Sequence, residues 1–162
     1  MSGTKAQDIK LSSLLKEKYI DLDLKGQDKE TVIAELVEII ASSRKLKNKK
    51  AFFRNIMERE SLGSTGIGNG VAIPHAKYKG VKDFILVLAR KDAGIDFGAL
   101  DGERTCLFFA LAVPQEAVGP HLKILAEISR LVKDKFIIDS LKKAKSKKDI
   151  LKIISARERN VL

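Results

Sequence analysis

This chain has few of the residues that build metal centres or disulfide scaffolds. Its 162 residues include one cysteine, Cys106, and two histidines, His75 and His121. A single thiol excludes an internal disulfide and a cysteine-based zinc cluster. Two histidines and one cysteine also lack the spacing of a metal site. No run of 18 apolar residues occurs, so no membrane span is predicted. The start, "MSGTKAQDIK", has neither an apolar core nor a cleavage pattern, so no secretory leader is predicted. With one thiol, the expected compartment is the reducing cytoplasm. There is no internal repeat, no low-complexity linker and no G-K-[ST] phosphate loop.

Acid is scarce in two stretches. Residues 44–54, "RKLKNKKAFFR", carry six bases and no acid, and residues 142–152, "KKAKSKKDILK", carry six bases and one acid. The net charge is +10. Such a surface suits nucleic acid, anionic lipid or an anionic substrate. The bases are mostly lysine, few aromatics lie among them, and no recognition motif accompanies them. A solvated, lysine-rich face is therefore the plainer reading. A basic nucleic-acid-binding protein remains a remote alternative that rests on charge alone.

The length fits one domain, and 44% hydrophobic residues suffice for a core. Alternation in "YIDLDL" (19–24) predicts a first strand. Asp28 is a candidate cap for a helix with Val32, Leu36, Ile39 and Ile40 on one face. A second helix is predicted from Asn48 to Glu60, with Phe52, Phe53, Ile56 and Met57 as its apolar residues and Gly63 as its stop. "DFILVLAR" (83–90) and "TCLFFALAV" (105–113) read as strands, the second buried, separated by an Asp101-Gly102 turn. Pro120 suits a helix start, with Leu122, Leu125, Ile128, Leu131 and Val132 behind it. Ser146 and Asp149 resemble a capping box for a last helix bearing Ile150, Ile153 and Ile154. The expected fold class is α/β: a single domain with a mixed sheet flanked by helices.

The segment "GSTGIGNGVAIPHAK" (63–77) raises the functional question. Gly66, Gly68 and Gly70 make a flexible loop that can bring backbone N–H groups to an anion. Ser64 and Thr65 can add hydroxyls. Pro74 pushes Ile73 toward the extended region, so His75 is expected at a strand end, entering a loop. His121 is expected in the first turn of a helix, where unpaired N–H groups favour negative charge. Arg59 ends the helix that feeds the loop and can clamp a pair of phosphoryl oxygens. Imidazole is a nucleophile toward phosphorus, and the transferred group needs cations and donors rather than a metal or a cofactor. Each residue has an ordinary reading as well: a hydrogen-bonded histidine, a helix-end histidine, a surface ion-pair arginine, a simple turn. A dinucleotide loop is a poor rival, because a helix precedes these glycines and a Pro-terminated run follows. Cys106, inside an apolar strand, reads as a buried, inert thiol.

"RESLGSTGIGNGVAIPHAK" (59–77) closely resembles the active-site segment of the enzyme IIA domains of the bacterial phosphoenolpyruvate-dependent sugar phosphotransferase system, of the fructose/mannitol/nitrogen-regulatory type. Glu60, Ile67, Gly68, Val71, Ala72, Ile73, Pro74, His75 and Ala76 fill every place of that pattern. The resemblance continues through "GIDFGALDG" (94–102), "LFFALAVP" (107–114) and "HLKILAEISRLVKD" (121–134). It implies one IIA-like domain over 1–162, with an N-terminal arm (1–18) and a core (19–157), built on a mixed sheet of about five strands.

The resemblance also implies a phosphocarrier. His75 matches the histidine that takes phosphate from phospho-HPr and gives it to a IIB partner. His121 matches the second histidine, which hydrogen-bonds at the phosphorylation site, and Arg59 matches the arginine beside the phosphoryl group. Ser64, Thr65 and Gly66 fall in the adjoining loop as support. No metal, cofactor, nucleic acid or membrane insertion is implied. Cys106 does not sit in a IIB-like loop, so a stand-alone IIA or a piece of a longer polypeptide is expected. The leading expectation is a step in fructose-type sugar uptake. The alternative is a nitrogen-regulatory protein that binds targets according to its phosphorylation state.

Overall fold

Two long apolar segments organise the chain around a mixed sheet. The computed structural model describes residues 9–159. Strands β5 (Ile85–Ile95) and β6 (Thr105–Pro114) pair antiparallel at its centre. Residues 85–90 and 107–113 are buried without a break. Strands covered on both faces need no polar alternation, which is why these segments read as continuous apolar runs.

The remaining strands are short. β1 (Ile20–Asp21) runs parallel to β5, and β2 (Gly66–Gly68) forms a hairpin with β3 (Val71–Ala72). β3 and β4 (His75–Tyr78) both lie parallel to β6, giving six strands among the described residues. The alternation at 19–24 yields only the two-residue β1. Residues 17–19 form a 3-10 turn, and the Asp21 carboxylate accepts the Asp23 N–H at 2.8 Å, a local bond that competes with the sheet ladder.

Pro74 has a different effect from the one expected. It lacks an N–H and so removes one rung of the ladder. Its carbonyl still accepts from the Leu111 N–H at 2.9 Å. Val71 lies opposite Leu107 and His75 opposite Leu111, the same offset on either side of the proline. β3 and β4 are therefore one strand with a missing rung, and His75 begins its second half instead of entering a loop.

Six helices among the described residues flank the sheet: α1 (Leu11–Leu14), α2 (Lys29–Ala41), α3 (Lys49–Ser61), α4 (Val118–Val132), α5 (Lys135–Lys143) and α6 (Lys147–Arg159). Asp28 caps α2 by accepting from the Thr31 N–H at 2.9 Å, and Asn48 caps α3 through Ala51 at 3.1 Å. The Ser146 hydroxyl accepts from the Asp149 N–H at 3.1 Å, as the capping pattern predicts. On α4 the apolar stripe is buried at Ile124, Ile128, Leu131 and Val132, whereas Leu122 is exposed. α5 has no counterpart in the sequence reading. It is tied down by buried Arg90, whose guanidinium donates to the Leu141 and Ala144 carbonyls at 3.0 and 2.7 Å. Part of the expected N-terminal arm joins the core, since Leu11 and Leu15 are buried. Residues 1–8 of that arm lie outside the described residues.

Candidate functional site

The site is built around a hydrogen bond of His75. His75 Nδ1 lies 2.7 Å from the Ile73 carbonyl oxygen. A carbonyl can only accept, so the proton sits on Nδ1 and the lone pair on Nε2. Burial pushes the His75 pKa below the ordinary imidazole value of 6.5; the Ile73 bond opposes that shift, the Arg59 charge adds to it, and the Glu60 charge opposes it. The ring is therefore neutral at pH 7, with Nε2 unprotonated.

His121 comes from a distant segment. It is the fourth residue of α4, and its ring centre lies 5.7 Å from that of His75, tilted by 47°. Its Nε2 is buried and has no hydrogen-bond partner among the described residues. A buried polar atom without a partner is uncommon and marks a place where one is expected. Burial lowers the His121 pKa first, followed by the charges of His75 and Lys77.

The loop between α3 and β2 completes the surroundings. Arg59, in the last turn of α3, donates from its guanidinium to the Gly63 carbonyl at 2.8 Å. The Ser64 hydroxyl donates to the Phe97 carbonyl at 2.8 Å and accepts from the Gly66 N–H at 2.9 Å. The Thr65 hydroxyl and N–H both bond the Glu60 carboxylate. Both hydroxyls thus shape the loop. Gly66 is buried, and a Cβ there would stand 3.1 Å from Ala99. Asn69 and Gly70 close the β2–β3 hairpin with φ of 58° and 80°, the positive pair of a tight hairpin turn.

The fold thus gathers Arg59, Ser64, Thr65, Gly66, His75 and His121, which are spread over 63 positions of sequence, from Arg59 to His121. The sequence reading gave no role to Lys29, whose ammonium lies 3.0 Å from Glu60 and 4.5 Å from the Phe97 ring centre. It also assigned none to the Ile73 and Phe97 carbonyls. Their roles depend on the approach of distant segments and carry no motif. Cys106 is half-buried, and burial raises its pKa, which suppresses the thiolate.

A pH dependence follows from the neutral ring. Attack through Nε2 requires the unprotonated imidazole, which the depressed pKa keeps populated down through pH 6.5. The rate of His75 modification by a phosphoryl donor should therefore fall to half its plateau only below pH 6.5. A rate already halved at pH 6.5 or above, measured on the wild-type chain, contradicts this.

Comparison with known proteins places the chain in a family. The profile described as "Phosphoenolpyruvate-dependent sugar phosphotransferase system, EIIA 2" matches residues 13–157. The chain is 35% identical over 151 residues to the fructose-specific EIIABC component of Bacillus subtilis, covering 93% of this chain but only 24% of that protein. It is 32% identical to a nitrogen regulatory protein of Pseudomonas aeruginosa, covering 90% of this chain and 95% of that one. The crystal structure of the nitrogen regulatory protein IIA-Ntr from Neisseria meningitidis superposes with a TM-score of 0.84 at 31% identity, covering 89% of this chain and 98% of that one. With most of its length inside the family profile and the fold shared with solved IIA proteins, this chain belongs to the EIIA 2 family of the phosphoenolpyruvate-dependent sugar phosphotransferase system.

Proposed function

We propose that His75 carries a phosphoryl group on Nε2, taken from phospho-HPr in the cytoplasm and passed to a IIB partner in fructose-type sugar uptake. The observation that carries this reading is the 2.7 Å bond from Nδ1 to the Ile73 carbonyl, which leaves Nε2 as the nucleophilic nitrogen. In the step, the Nε2 lone pair forms the new P–N bond as the donor's P–N bond breaks. The displaced electron pair returns to the donor's ring. Charge on the transferring group falls to Arg59 and to the unpartnered Nε2 of His121. Exposed Leu62, Ile67 and Leu122 border Gly63, the hairpin and His121, and apolar residues of this kind suit a protein partner. The relative from Escherichia coli solved as a complex of IIA mannitol with phosphorylated IIB mannitol has the same fold, at a TM-score of 0.77.

The test is incubation with phosphoenolpyruvate, enzyme I and HPr. One acid-labile phosphate per chain is expected, and no incorporation overturns the reading. Arg59→Gln removes a charge-assisted contact worth about 1.5–3 kcal/mol. Transfer should slow on the order of 10- to 100-fold. Because the Arg59 charge lowers the His75 pKa, that pKa should rise in the variant. An unchanged transfer rate would leave Arg59 as a loop tether only.

A second reading follows from the nitrogen regulatory proteins, which the chain also matches along nearly their whole length. In that reading His75 is still phosphorylated, but the phosphate switches binding to target proteins. Transfer of label from His75 to a IIB protein supports sugar uptake. Stable label that only alters target binding supports regulation.

A further inference from the structure

A buried carboxylate is connected to the nucleophile by an unbroken series of hydrogen bonds. The Glu60 side chain is 2% exposed, and its Oε1 is held by the Lys29 ammonium at 3.0 Å. The same carboxylate accepts the Thr65 N–H at 3.2 and 3.3 Å and the Thr65 hydroxyl. The Thr65 carbonyl accepts the Ile73 N–H at 3.0 Å. The Ile73 carbonyl, which belongs to the Ile73–Pro74 bond, accepts from His75 Nδ1 at 2.7 Å.

We infer that Glu60 is a positioning residue for His75, acting through Thr65 and Ile73 to hold the imidazole in its Nδ1–H tautomer. The inference rests on the phosphohistidine reading and extends it to a residue that does not touch the phosphoryl group. The physical need is specific. An unconstrained histidine side chain prefers the proton on Nε2, which would block the nucleophilic nitrogen, and the fixed Ile73 carbonyl reverses that preference. Ile73 is itself braced from both ends. Its N–H is held by Thr65, and the next carbonyl, that of Pro74, is held by Leu111 at 2.9 Å. Leu111 belongs to the central strand and does not depend on the loop. Thr65 does, and Glu60 is what fixes Thr65. Lys29 orients the carboxylate, with its own ammonium set against the Phe97 ring.

The test uses the whole chain and two readouts. Long-range ¹H–¹⁵N spectra report which nitrogen of His75 bears the proton, and labelling by phosphoramidate reports nucleophilicity without a protein donor. In the wild type, Nδ1–H should dominate. In Glu60→Gln, which keeps the side-chain volume, the Nε2–H share should rise and labelling should slow on the order of 10- to 100-fold. Lys29→Gln should move both readouts in the same direction by less. A folded Glu60→Gln protein with the wild-type tautomer and labelling rate overturns the inference. If Glu60→Gln does not fold, Thr65→Val removes the hydroxyl arm and Thr65→Ser restores it. A tautomer shift in the first that is rescued in the second supports the inference, and no shift in the first overturns it. Absence of labelling in the wild type would count against the phosphohistidine reading, while the tautomer comparison would still decide the role of Glu60.

Discussion

His75→Ala is expected to take up no phosphate under conditions that label the wild type fully. No other described imidazole has the same preparation. His121 Nε2 is buried without a partner, and no second bond fixes its tautomer as the Ile73 carbonyl does for His75. The change should leave the fold intact, because His75 is half-buried at the start of β4 and its backbone pairing with Leu111 needs no side chain. Unfolding free energy should shift by no more than about 1 kcal/mol, the common size for a single substitution. Radiolabel retention after gel electrophoresis, alongside a denaturation curve, checks both halves. Equal labelling of the variant would move the phosphorylation site elsewhere.

Phe108→Ala carries the largest expected loss of stability. Phe108 is fully buried in β6, between β5 and β3, with its ring centre 5.4 Å from that of Phe97 in an edge-to-face arrangement. Removing a buried phenyl ring costs about 3–5 kcal/mol through lost burial and the cavity left behind. For a domain of this size, each kcal/mol lowers the melting temperature by about 2–4 °C, so a fall of roughly 6–20 °C is expected. The damage should extend to the site, because Phe97 lies between Phe108 and the loop: its carbonyl holds Ser64 and its ring carries Lys29. Thermal denaturation with labelling measured below the transition tests this. A shift under 2 °C would mean that the core closes over the gap.

The parts of the fold legible in the sequence share a physical character. β5, β6, α2, α3, α4 and α6 have strong apolar patterns and, for α2, α3 and α6, capping side chains that the structure uses. What was not legible depends on contacts between distant segments. β2 and its hairpin read as a glycine loop because Gly66 and Gly68 supply almost no side chain to pattern. α5 was missed although Asp134 accepts from the Phe136 and Ile137 N–H groups at 3.0 and 3.3 Å, a cap visible in the sequence as Asp before Lys-Phe-Ile-Ile. Leu122 is the one member of the expected α4 stripe that the structure leaves exposed, while Ile128, Leu131 and Val132 are buried as expected and Ile124 joins them.

The site divides in the same way. His75, Arg59 and the loop residues stand together in one segment, and His121 could be singled out at a helix start. Their significance came chiefly from the resemblance of "RESLGSTGIGNGVAIPHAK" to a family. Lys29 gave no signal, because an ammonium on α2 acquires meaning only when α3 brings Glu60 to it. The peptide carbonyls of Ile73 and Phe97 have no sequence signature at all. They act through where the backbone runs.

The unbroken register across Pro74 has a consequence for how this protein fails. A reactive group on a loop can lose its alignment while the rest of the molecule remains native, so that inactivation precedes melting. Here His75 is mounted on the lattice of the sheet, paired to the strand that holds the molecule together. The placement of its backbone therefore survives for as long as that strand does. The placement of His75 and the native state should disappear at one temperature, while the loop that reaches Ile73 through Thr65 is free to loosen earlier.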